Sequence, residues 1–598
     1  MTKEAEAEQQ APVVIIGGGP AGLGSAYELL KLGRKPLVLE RLDKVGGIAR
    51  TESFEGYRFD LGGHRFYTKS HEVQDIWEEI LGDEFLLRPR LSRIYYRHRF
   101  FRYPLKLGNT LMGLGPMESL KIGLSYLRWR AFPSRREDTF EQWVVNRFGR
   151  RLFRTFFKSY TEKVWGIPCG TLKAEWAAQR IKDLSLWTAL MSMFRNSEQK
   201  IRTLTETFHY PRLGPGMLWE RMAEMIGKQG GEVRLNADVE AIQRDGQRIT
   251  SVRLRGDGQA ELTLEADHFV SSMPVSRLVK ILQPAAPKHV LHAADSLNYR
   301  DFLTVCLIVE GDDLFPDNWI YIHDADVRVG RIQNFKNWSP DMVPTPGTCS
   351  LGLEYFCNAG DELWNCDDAD LIDQAKLEIE KVGLARSADV RSGCVVRVND
   401  AYPVYDSDYR DHLATVREFV DGLENLHTIG RNGLHRYNNQ DHSMLTGMLA
   451  ARDIALGEKH DLWEVNTDRE YHEEVRTEPD ELDIITEVLP QVFARVHRSA
   501  LGLATGLIGG ALLAFVTYLV SKWPKGEIQI MVELLGQFFP GYSVSPEGIG
   551  LGLAYGFVSG FALGWSFALL RNGAVFLHMV FIQRRMEQRM LRNLLDML

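Results

Sequence analysis

Residues 12–22 read PVVIIGGGPAG and predict the core architecture of this 598-residue chain. The stretch begins as a short apolar run, typical of a buried parallel strand, and ends in Gly17, Gly19 and Gly22 with the spacing GxGxxG. A helix-like stretch then continues to Lys31. Glycines in such a turn let the backbone approach a pyrophosphate, and the helix N-terminus attracts its charge. The sequence therefore predicts a Rossmann-type dinucleotide-binding unit.

The segments that follow indicate which dinucleotide is bound. A second strand at 35–39 ends in Glu40, where an acidic side chain can hold a ribose hydroxyl. The stretch VGGIAR at 45–50 resembles the second glycine segment of glutathione-reductase-like FAD proteins, so we expect FAD rather than NAD. Residues 232–242 alternate like a strand, and 266–274 are typical of a strand that returns to the FAD domain. The sequence lacks a second GxGxxG with a following strand and acid, which argues against a separate NAD(P)H domain.

Composition and charge exclude several classes of protein. A net charge of −8 argues against nucleic-acid binding. The six cysteines form no CxxC pair and no Cys/His ligand spacing, so we expect buried, reduced thiols and no metal site. The N-terminus is polar and lacks the apolar core of a secretory signal, so we expect a cytoplasmic catalytic part.

The C-terminal region has a different composition. Residues 499–520 and 549–570 are uncharged runs of membrane-spanning length, and glycines near helical spacing in the second run would let two helices pack closely. The alternative is a pair of buried core helices. Basic residues flank both outer ends, so the positive-inside rule places both ends in the cytoplasm. An acidic connector at 459–498 precedes the spans, and an amphipathic helix is expected at 572–598.

Five further segments resemble one family of flavoproteins. GGHRFYT at 62–68 resembles the loop GAHIFHT of UDP-galactopyranose mutase, and KSYTEKVWG at 158–166 resembles its segment GYTEKQWG. VGRI at 329–332 is similar to its YTRI strand. VNDAYPV at 398–404 and the stretch at 430–442 resemble its YYPVND turn and its segment GGRLAEYKYYDMHQ. The chain is thus similar to the UDP-galactopyranose mutase family, as a distant, membrane-anchored branch.

The resemblance implies a sugar isomerisation in which reduced FAD is a covalent catalyst, its N5 attacking the anomeric carbon without net oxidation. Arg180, in the stretch AAQRI, and Arg331 would grip the substrate phosphate, and His64 would lie against the flavin; these are the predicted catalytic residues. The predicted substrate-binding residues are Tyr160, Trp165, Arg180, Arg331, Tyr402 and Tyr437. The predicted cofactor-binding residues are Gly17, Gly19, Gly22, Glu40, Arg41, Gly46, Gly47, Gly63, His64, Val239, Arg431 and Asp441.

Each assignment has a structural alternative, and the sequence departs from the family in two places. An arginine such as Arg180 is often a surface ion-pair partner, and the aromatic residues could be core or rim residues. The family's Tyr-Tyr-Asp triplet is Tyr437-Asn438-Asn439 here, with the acid displaced to Asp441. HYPR at 209–212 stands where the family has its nucleotide-binding YQGIP loop. We therefore expect a phosphate-linked sugar, carried by a polyprenyl lipid or by a nucleotide.

Two other classes of function stay open. The first is a membrane-bound FAD oxidoreductase acting on a porphyrinogen, a carotenoid or an amine. The second is a non-catalytic protein that anchors a glycosyltransferase. For the preferred class we expect a role in cell-surface polysaccharide biosynthesis, contact with membrane lipid, a glycosyltransferase or other membrane partner, and self-association into a homo-oligomer.

The predicted fold class is α/β: a Rossmann-type FAD domain with a helical insertion, a mostly antiparallel substrate sheet and a C-terminal transmembrane hairpin. The predicted divisions are a disordered tail at 1–11, an FAD domain at 12–104, 205–289 and 396–458, a helical insertion at 105–204, a substrate sheet at 290–395, the connector at 459–498, the spans at 499–571 and the C-terminal helix at 572–598.

Overall fold

The computed structural model describes residues 12–103, 114–174, 207–255, 262–466, 496–522 and 527–595. The predicted tail and most of the acidic connector lie outside these residues. The chain divides into two compact units, Met1–Val475 and Arg476–Leu598.

The strands, in chain order, are β1 (Val13–Ile16), β2 (Pro36–Leu39), β3 (Thr51–Phe54), β4 (Tyr57–Asp60), β5 (Phe85–Pro89), β6 (Ser92–Tyr96), β7 (Arg99–Arg102), β8 (Thr207–Pro211), β9 (Glu232–Arg234), β10 (Val239–Asp245), β11 (Arg248–Leu254), β12 (Leu262–Glu265), β13 (Phe269–Ser271), β14 (Leu282–Gln283), β15 (Tyr299–Glu310), β16 (Trp319–Ile322), β17 (Arg331–Asn334), β18 (Thr348–Cys357), β19 (Val390–Pro403) and β20 (Leu426–Thr428).

The main helices are α1 (Pro20–Lys31), α2 (His71–Leu81), α3 (Pro116–Ala131), α4 (Phe140–Phe148), α5 (Lys158–Trp165), α6 (Gly216–Lys228), α7 (Val275–Lys280), α8 (Lys288–Asp295), α9 (Phe335–Trp338), α10 (Glu362–Asn365), α11 (Asp368–Val382), α12 (Tyr409–Asp421), α13 (Gly430–Gly433), α14 (Gln440–Leu456), α15 (Arg498–Lys522), α16 (Glu527–Glu533) and α17 (Pro546–Leu595).

A five-stranded parallel sheet forms the centre of the first unit, with strand order β20-β13-β1-β2-β9. Alternate side chains of β1 enter two hydrophobic cores, Val13 and Ile15 on one face and Val14 and Ile16 on the other. Burial on both faces explains why this strand is a continuous apolar run. The predicted Rossmann-type fold is confirmed, and the strand within 266–274 does return to the FAD domain, where β13 pairs with β1.

The predicted single strand at 232–242 is wrong. The structure has two strands there, β9 and β10, and they belong to different sheets. The chain turns between them at Asn236, whose φ of 54° lies in the left-handed region that ends an extended strand. β9 joins the parallel sheet, whereas β10 joins the four-stranded sheet β12-β11-β10-β14.

The first unit also contains a seven-stranded sheet with strand order β19-β15-β18-β17-β16-β6-β7. All its pairings are antiparallel except that of β6 with β16. β6 and β7 fall within the stretch predicted as FAD domain, and β19 runs past the predicted boundary at 395 to Pro403. The ion pair between Arg93 and the buried Asp317, 2.5 Å apart, helps to hold β6 in this sheet.

The second unit contains α15, α16 and α17, and α15 packs along α17. Both helices are long and apolar enough to cross a membrane, over Arg498–Lys522 and Pro546–Gly573. A Cβ at Gly556 would lie 2.5 Å from the carbonyl oxygen of Gly509, so the backbones touch where glycines face each other. The residues of the helix expected at 572–598 are helical to Leu595, as the C-terminal part of α17, which continues without a break from Pro546. That stretch contains no proline to interrupt the helix.

Candidate functional site

Two glycine-rich loops form a cradle at the carboxyl end of the parallel sheet. Gly17 has a φ of 105°, and a side chain on Gly22 would collide with the carbonyl oxygen of Gly17. The N–H of Gly46 donates to the carbonyl of Gly18 at 2.8 Å, so the second loop is bonded to the first. The N–H of Gly18 also donates to the buried Glu40 carboxylate at 2.7 Å. A pyrophosphate can therefore approach the backbone of these two loops closely, as the binding of FAD requires.

A cavity of about 670 Å³ extends from this cradle to the seven-stranded sheet. It brings together most of the predicted site, since it is lined by Gly17, Gly19, Glu40, Arg41, Gly47, Gly63, His64, Tyr160, Trp165, Val239, Arg331, Tyr402, Arg431, Tyr437 and Asp441. Gly22 and Gly46 are not among the lining residues, but they belong to the two glycine-rich turns described above. Arg180 lies outside the described residues.

His64 lies between the FAD cradle and the sheet. Its Nε2 is 2.8 Å from the carbonyl oxygen of Leu61, to which the neutral ring donates a hydrogen bond. Burial lowers the pKa of His64 to about 4, and the charges of Arg431 and Arg331 act in the same direction. At neutral pH the side chain is therefore an uncharged imidazole.

Arg331, at the start of β17, is held by Glu354 of the neighbouring strand β18. Nε and Nη2 of Arg331 donate to the two carboxylate oxygens at 2.8 and 2.5 Å, and Gln333 donates to the same carboxylate at 2.7 Å. Burial alone would lower the pKa of Arg331, but the bonded Glu354 raises it well above its usual value. The remaining nitrogen, Nη1, faces Gly63, where a Cβ would lie 3.6 Å from it.

An aromatic wall closes one side of the cavity. Tyr402 and Tyr437 stack with ring centroids 5.6 Å apart, and the Arg431 guanidinium lies over both rings at 5.4 and 4.6 Å. Trp165 meets each tyrosine edge-on at 6.3 Å and is only 2% exposed. The Arg431 Nε also donates to the Asn438 carbonyl at 2.8 Å, which fixes the loop that carries Tyr437.

Tyr160 stacks on His323, a residue that the sequence reasoning missed. The ring centroids are 4.6 Å apart at an interplanar angle of 10°, and burial lowers the pKa of His323 to about 3. Lys163, one turn after Tyr160, donates to the carbonyls of Ile322, Asp324, Val327 and Val329 at 2.8–3.1 Å. The lysine thereby ties α5 to the segment that leads into Arg331.

Asp441 lies in the first turn of α14, where the helix N-terminus favours an acid. Its carboxylate is buried, with Oδ1 3.5 Å from the Nδ1 of His442. Asp441, the acid displaced from the family's Tyr-Tyr-Asp triplet, therefore does line the cavity. Glu354 was missed as well, although a signal existed: it is the single charged residue in the otherwise uncharged strand TCSLGLEYFC.

The parallel sheet, the glycine cradle and the long cavity define an FAD-binding flavoprotein with a Rossmann-type fold. The sequence profile of the flavin containing amine oxidoreductases matches residues 20–455. The chain belongs to that family of flavoenzymes.

Individual relatives point to several activities within the family. A 15-cis-phytoene desaturase of Synechococcus elongatus is 25% identical over 304 residues, which are 46% of this chain and 60% of the desaturase. A coproporphyrinogen III oxidase of Mycobacterium leprae is 22% identical over 67% of this chain and 90% of the oxidase. The chain spans 50–60% of the lengths of the first curated relatives that it matches.

Among solved structures, reduced UDP-galactopyranose mutase superposes with a TM-score of 0.67 at 22% identity. The match covers 77% of this chain and 98% of the mutase. At this identity the likeness establishes the fold.

Proposed function

We propose that this chain is a flavin-dependent pyranose–furanose mutase acting on a phosphate-linked sugar. The observation that carries the proposal is the polar wall opposite the FAD cradle, where Arg331, Tyr160, Tyr402 and His64 line one cavity. A guanidinium and tyrosine hydroxyls can donate to a leaving phosphate, and an enclosed site strengthens such bonds. The mutase-like segments at 62–68 and 158–166 supply two of these residues, His64 and Tyr160.

Arg331 would contact the phosphate through one nitrogen. Glu354 already accepts from its Nε and Nη2, so Nη1 is the donor on the side of Gly63. The ion pair is close to neutral overall, and a second cation is needed to balance a phosphate. We assign that role to Arg180, as the family resemblance suggests, with the hydroxyls of Tyr160 and Tyr402 completing the set.

When bound and reduced, FAD would supply the nucleophile for the anomeric carbon without net oxidation. The chain's own residues would orient the sugar and exclude water. Trp165, Tyr402 and Tyr437 line the cavity and would form an aromatic wall beside the pyranose ring. His64 stays neutral, and because its Nε2 donates to the Leu61 carbonyl, its Nδ1 can accept one hydrogen bond beside the flavin without adding charge.

A lipid-linked substrate accounts for the other side of the cavity. Part of the lining is apolar and belongs to one hydrophobic cluster, with Ile94, Phe140, Phe148, Leu152, Phe156 and Phe157. A nucleotide would find few polar partners among these residues, whereas a polyprenyl chain would bury apolar surface there. We therefore favour a polyprenyl-phosphate sugar and a chain anchored in the membrane by α15 and α17, with its catalytic part in the cytoplasm.

Chemical trapping tests the proposal. The purified enzyme is reduced anaerobically, mixed with nucleotide-linked or polyprenyl-phosphate-linked sugars, and quenched with cyanoborohydride before mass spectrometry of the flavin. We expect a flavin adduct with the mass of one sugar, formed with the lipid-linked substrate. An adduct formed only with nucleotide sugars would refute the lipid carrier but keep the mutase.

A membrane-bound oxidoreductase is the second candidate, favoured by the relatives named as a desaturase and an oxidase. The apolar side of the cavity also suits a hydrocarbon or a tetrapyrrole. Anaerobic mixing of the oxidised enzyme with such compounds separates the two candidates. Bleaching of the flavin by one of them, with no sugar adduct in the trapping experiment, would replace the mutase proposal.

A further inference from the structure

The outward side of α3 and the residue after it carry an apolar stripe. Met117, Leu120, Leu124, Leu127 and Phe132 are 59–78% exposed. The first four are spaced by three and four residues, so they lie on one face of the helix. A soluble surface rarely exposes so many large apolar side chains together, and such a patch marks a contact with something else.

The opposite face of α3 is firmly packed, so the stripe is not a displaced core. Ile122 and Tyr126 are buried in the same hydrophobic cluster as Phe148 and Phe156, which line the apolar side of the cavity. At its start, Glu118 accepts from Arg151 Nη2 at 2.9 Å. The helix thus connects an exposed apolar face to the wall of the cavity.

Positive charge surrounds the stripe. Residues 116–136 contain five Lys or Arg against one acid, in a chain with a net charge of −8, and the acid, Glu118, is bonded to Arg151. Lys121, Arg128 and Arg130 are exposed beside the stripe. A helix with apolar side chains on one side and basic residues along it fits the surface of an anionic bilayer.

We propose that α3 docks in the headgroup region of an anionic membrane, with the stripe from Met117 to Phe132 buried among the lipids. The inference rests on the membrane anchoring proposed above for α15 and α17 and is independent of the sugar chemistry. Docking would bring the apolar wall of the cavity to the bilayer, where a lipid-linked substrate resides.

Fluorescence quenching tests this docking on the full chain in lipid nanodiscs containing nitroxide-labelled lipid. A bimane fluorophore is placed at Leu124→Cys and, as the matched control, at Leu377→Cys, which is 65% exposed on α11. The parent chain, labelled in parallel, measures the background from its six cysteines. We expect quenching at position 124 to be roughly threefold stronger than at 377, and stronger in anionic than in zwitterionic lipid.

Three results would overturn the docking. Equal quenching at positions 124 and 377 would place α3 in water, and equal quenching in both lipids would remove the role of charge. Cross-linking between position 124 of two copies, without quenching, would instead assign the stripe to a second chain. Flotation of the full chain with carbonate-washed vesicles is measured separately, so failure of the anchoring and failure of the docking are distinguishable.

Discussion

At the scale of the residue, the pair Arg331–Glu354 gives a prediction about stability. Glu354 is fully buried, so Arg331→Met would leave its carboxylate without a counter-charge. We expect the free energy of unfolding to fall by about 3–5 kcal/mol, and most of this loss to be recovered in the double variant R331M/E354L. Denaturant unfolding of the FAD-loaded protein, followed by flavin fluorescence, measures both.

The exposed pair Arg386–Asp389 supplies the control for these variants. Arg386→Met should change the free energy of unfolding by less than about 1 kcal/mol. A double variant as unstable as R331M would show that the buried charge is not the cause.

His323 gives a second prediction at this scale, on pH. Its pKa is about 3 in the folded chain against 6.5 for a free histidine, so between these values the unfolded chain binds more protons. The free energy of unfolding therefore falls as the pH is lowered from 6.5 towards 3. Between pH 7 and pH 5, we expect the free energy of unfolding of His323→Gln to fall by about 2 kcal/mol less than that of the parent.

Thermal or denaturant unfolding at a series of pH values measures that difference. His289→Gln, at an exposed position, should follow the parent curve. Parallel curves for H323Q and the parent would contradict the assignment of a buried neutral imidazole.

At the scale of the element, the turn between β1 and α1 determines whether FAD binds. A methyl group at Gly22 would collide with the Gly17 carbonyl, which must then move from the pyrophosphate cradle. We expect Gly22→Ala to reduce bound FAD by about tenfold or more. Gly227→Ala, in an open position on α6, is the matched control and should keep its FAD.

The measurement is the flavin absorbance per chain after gel filtration. A fully loaded G22A variant would show that the turn tolerates a side chain and that the FAD cradle lies elsewhere.

The pairing of α15 with α17 is the second prediction for an element. Thr505 Oγ1 donates to the Gly560 carbonyl at 2.7 Å, and a side chain on Gly560 would collide with the Thr505 backbone. We expect Gly560→Leu to separate the helices and to raise amide exchange in 498–522 by roughly tenfold. Gly550→Leu, at an open position of the same helix, should leave exchange unchanged. Equal effects of the two substitutions would remove the packing argument.

At the scale of the whole molecule, the apolar helices of the second unit predict that the protein is bound to membranes. α15 and the first part of α17 are of spanning length and apolar. We expect the full chain to stay with membranes after a carbonate wash. A chain ending at residue 475 should be released by the same wash, since α3 would hold it only at the headgroup region, and should bind FAD when purified. Extraction of the full chain by carbonate would contradict the spanning interpretation.

The prediction from sequence succeeded where structure is local. In the FAD cradle, Gly17, Gly22 and Glu40 act within about one strand–helix–strand repeat, so their spacing alone carries the geometry. It failed at 232–242, where one residue, Asn236, leaves the extended region and redirects the chain into another sheet. The helix expected from composition at 572–598 is continuous with the second apolar run, because the helical backbone of α17 passes residue 572 without interruption.

The residue order of this chain specifies an FAD-binding Rossmann-type unit and two apolar runs of membrane-spanning length, since both follow from short-range spacing and hydrophobicity. Folding adds the partners that are distant in sequence. Glu354 binds Arg331 because β17 and β18 are neighbours, and His323 reaches Tyr160 because the segment after β16 packs on α5. Charge balance and protonation in the cavity depend on these contacts, which side chains acquire only when strands and helices pack.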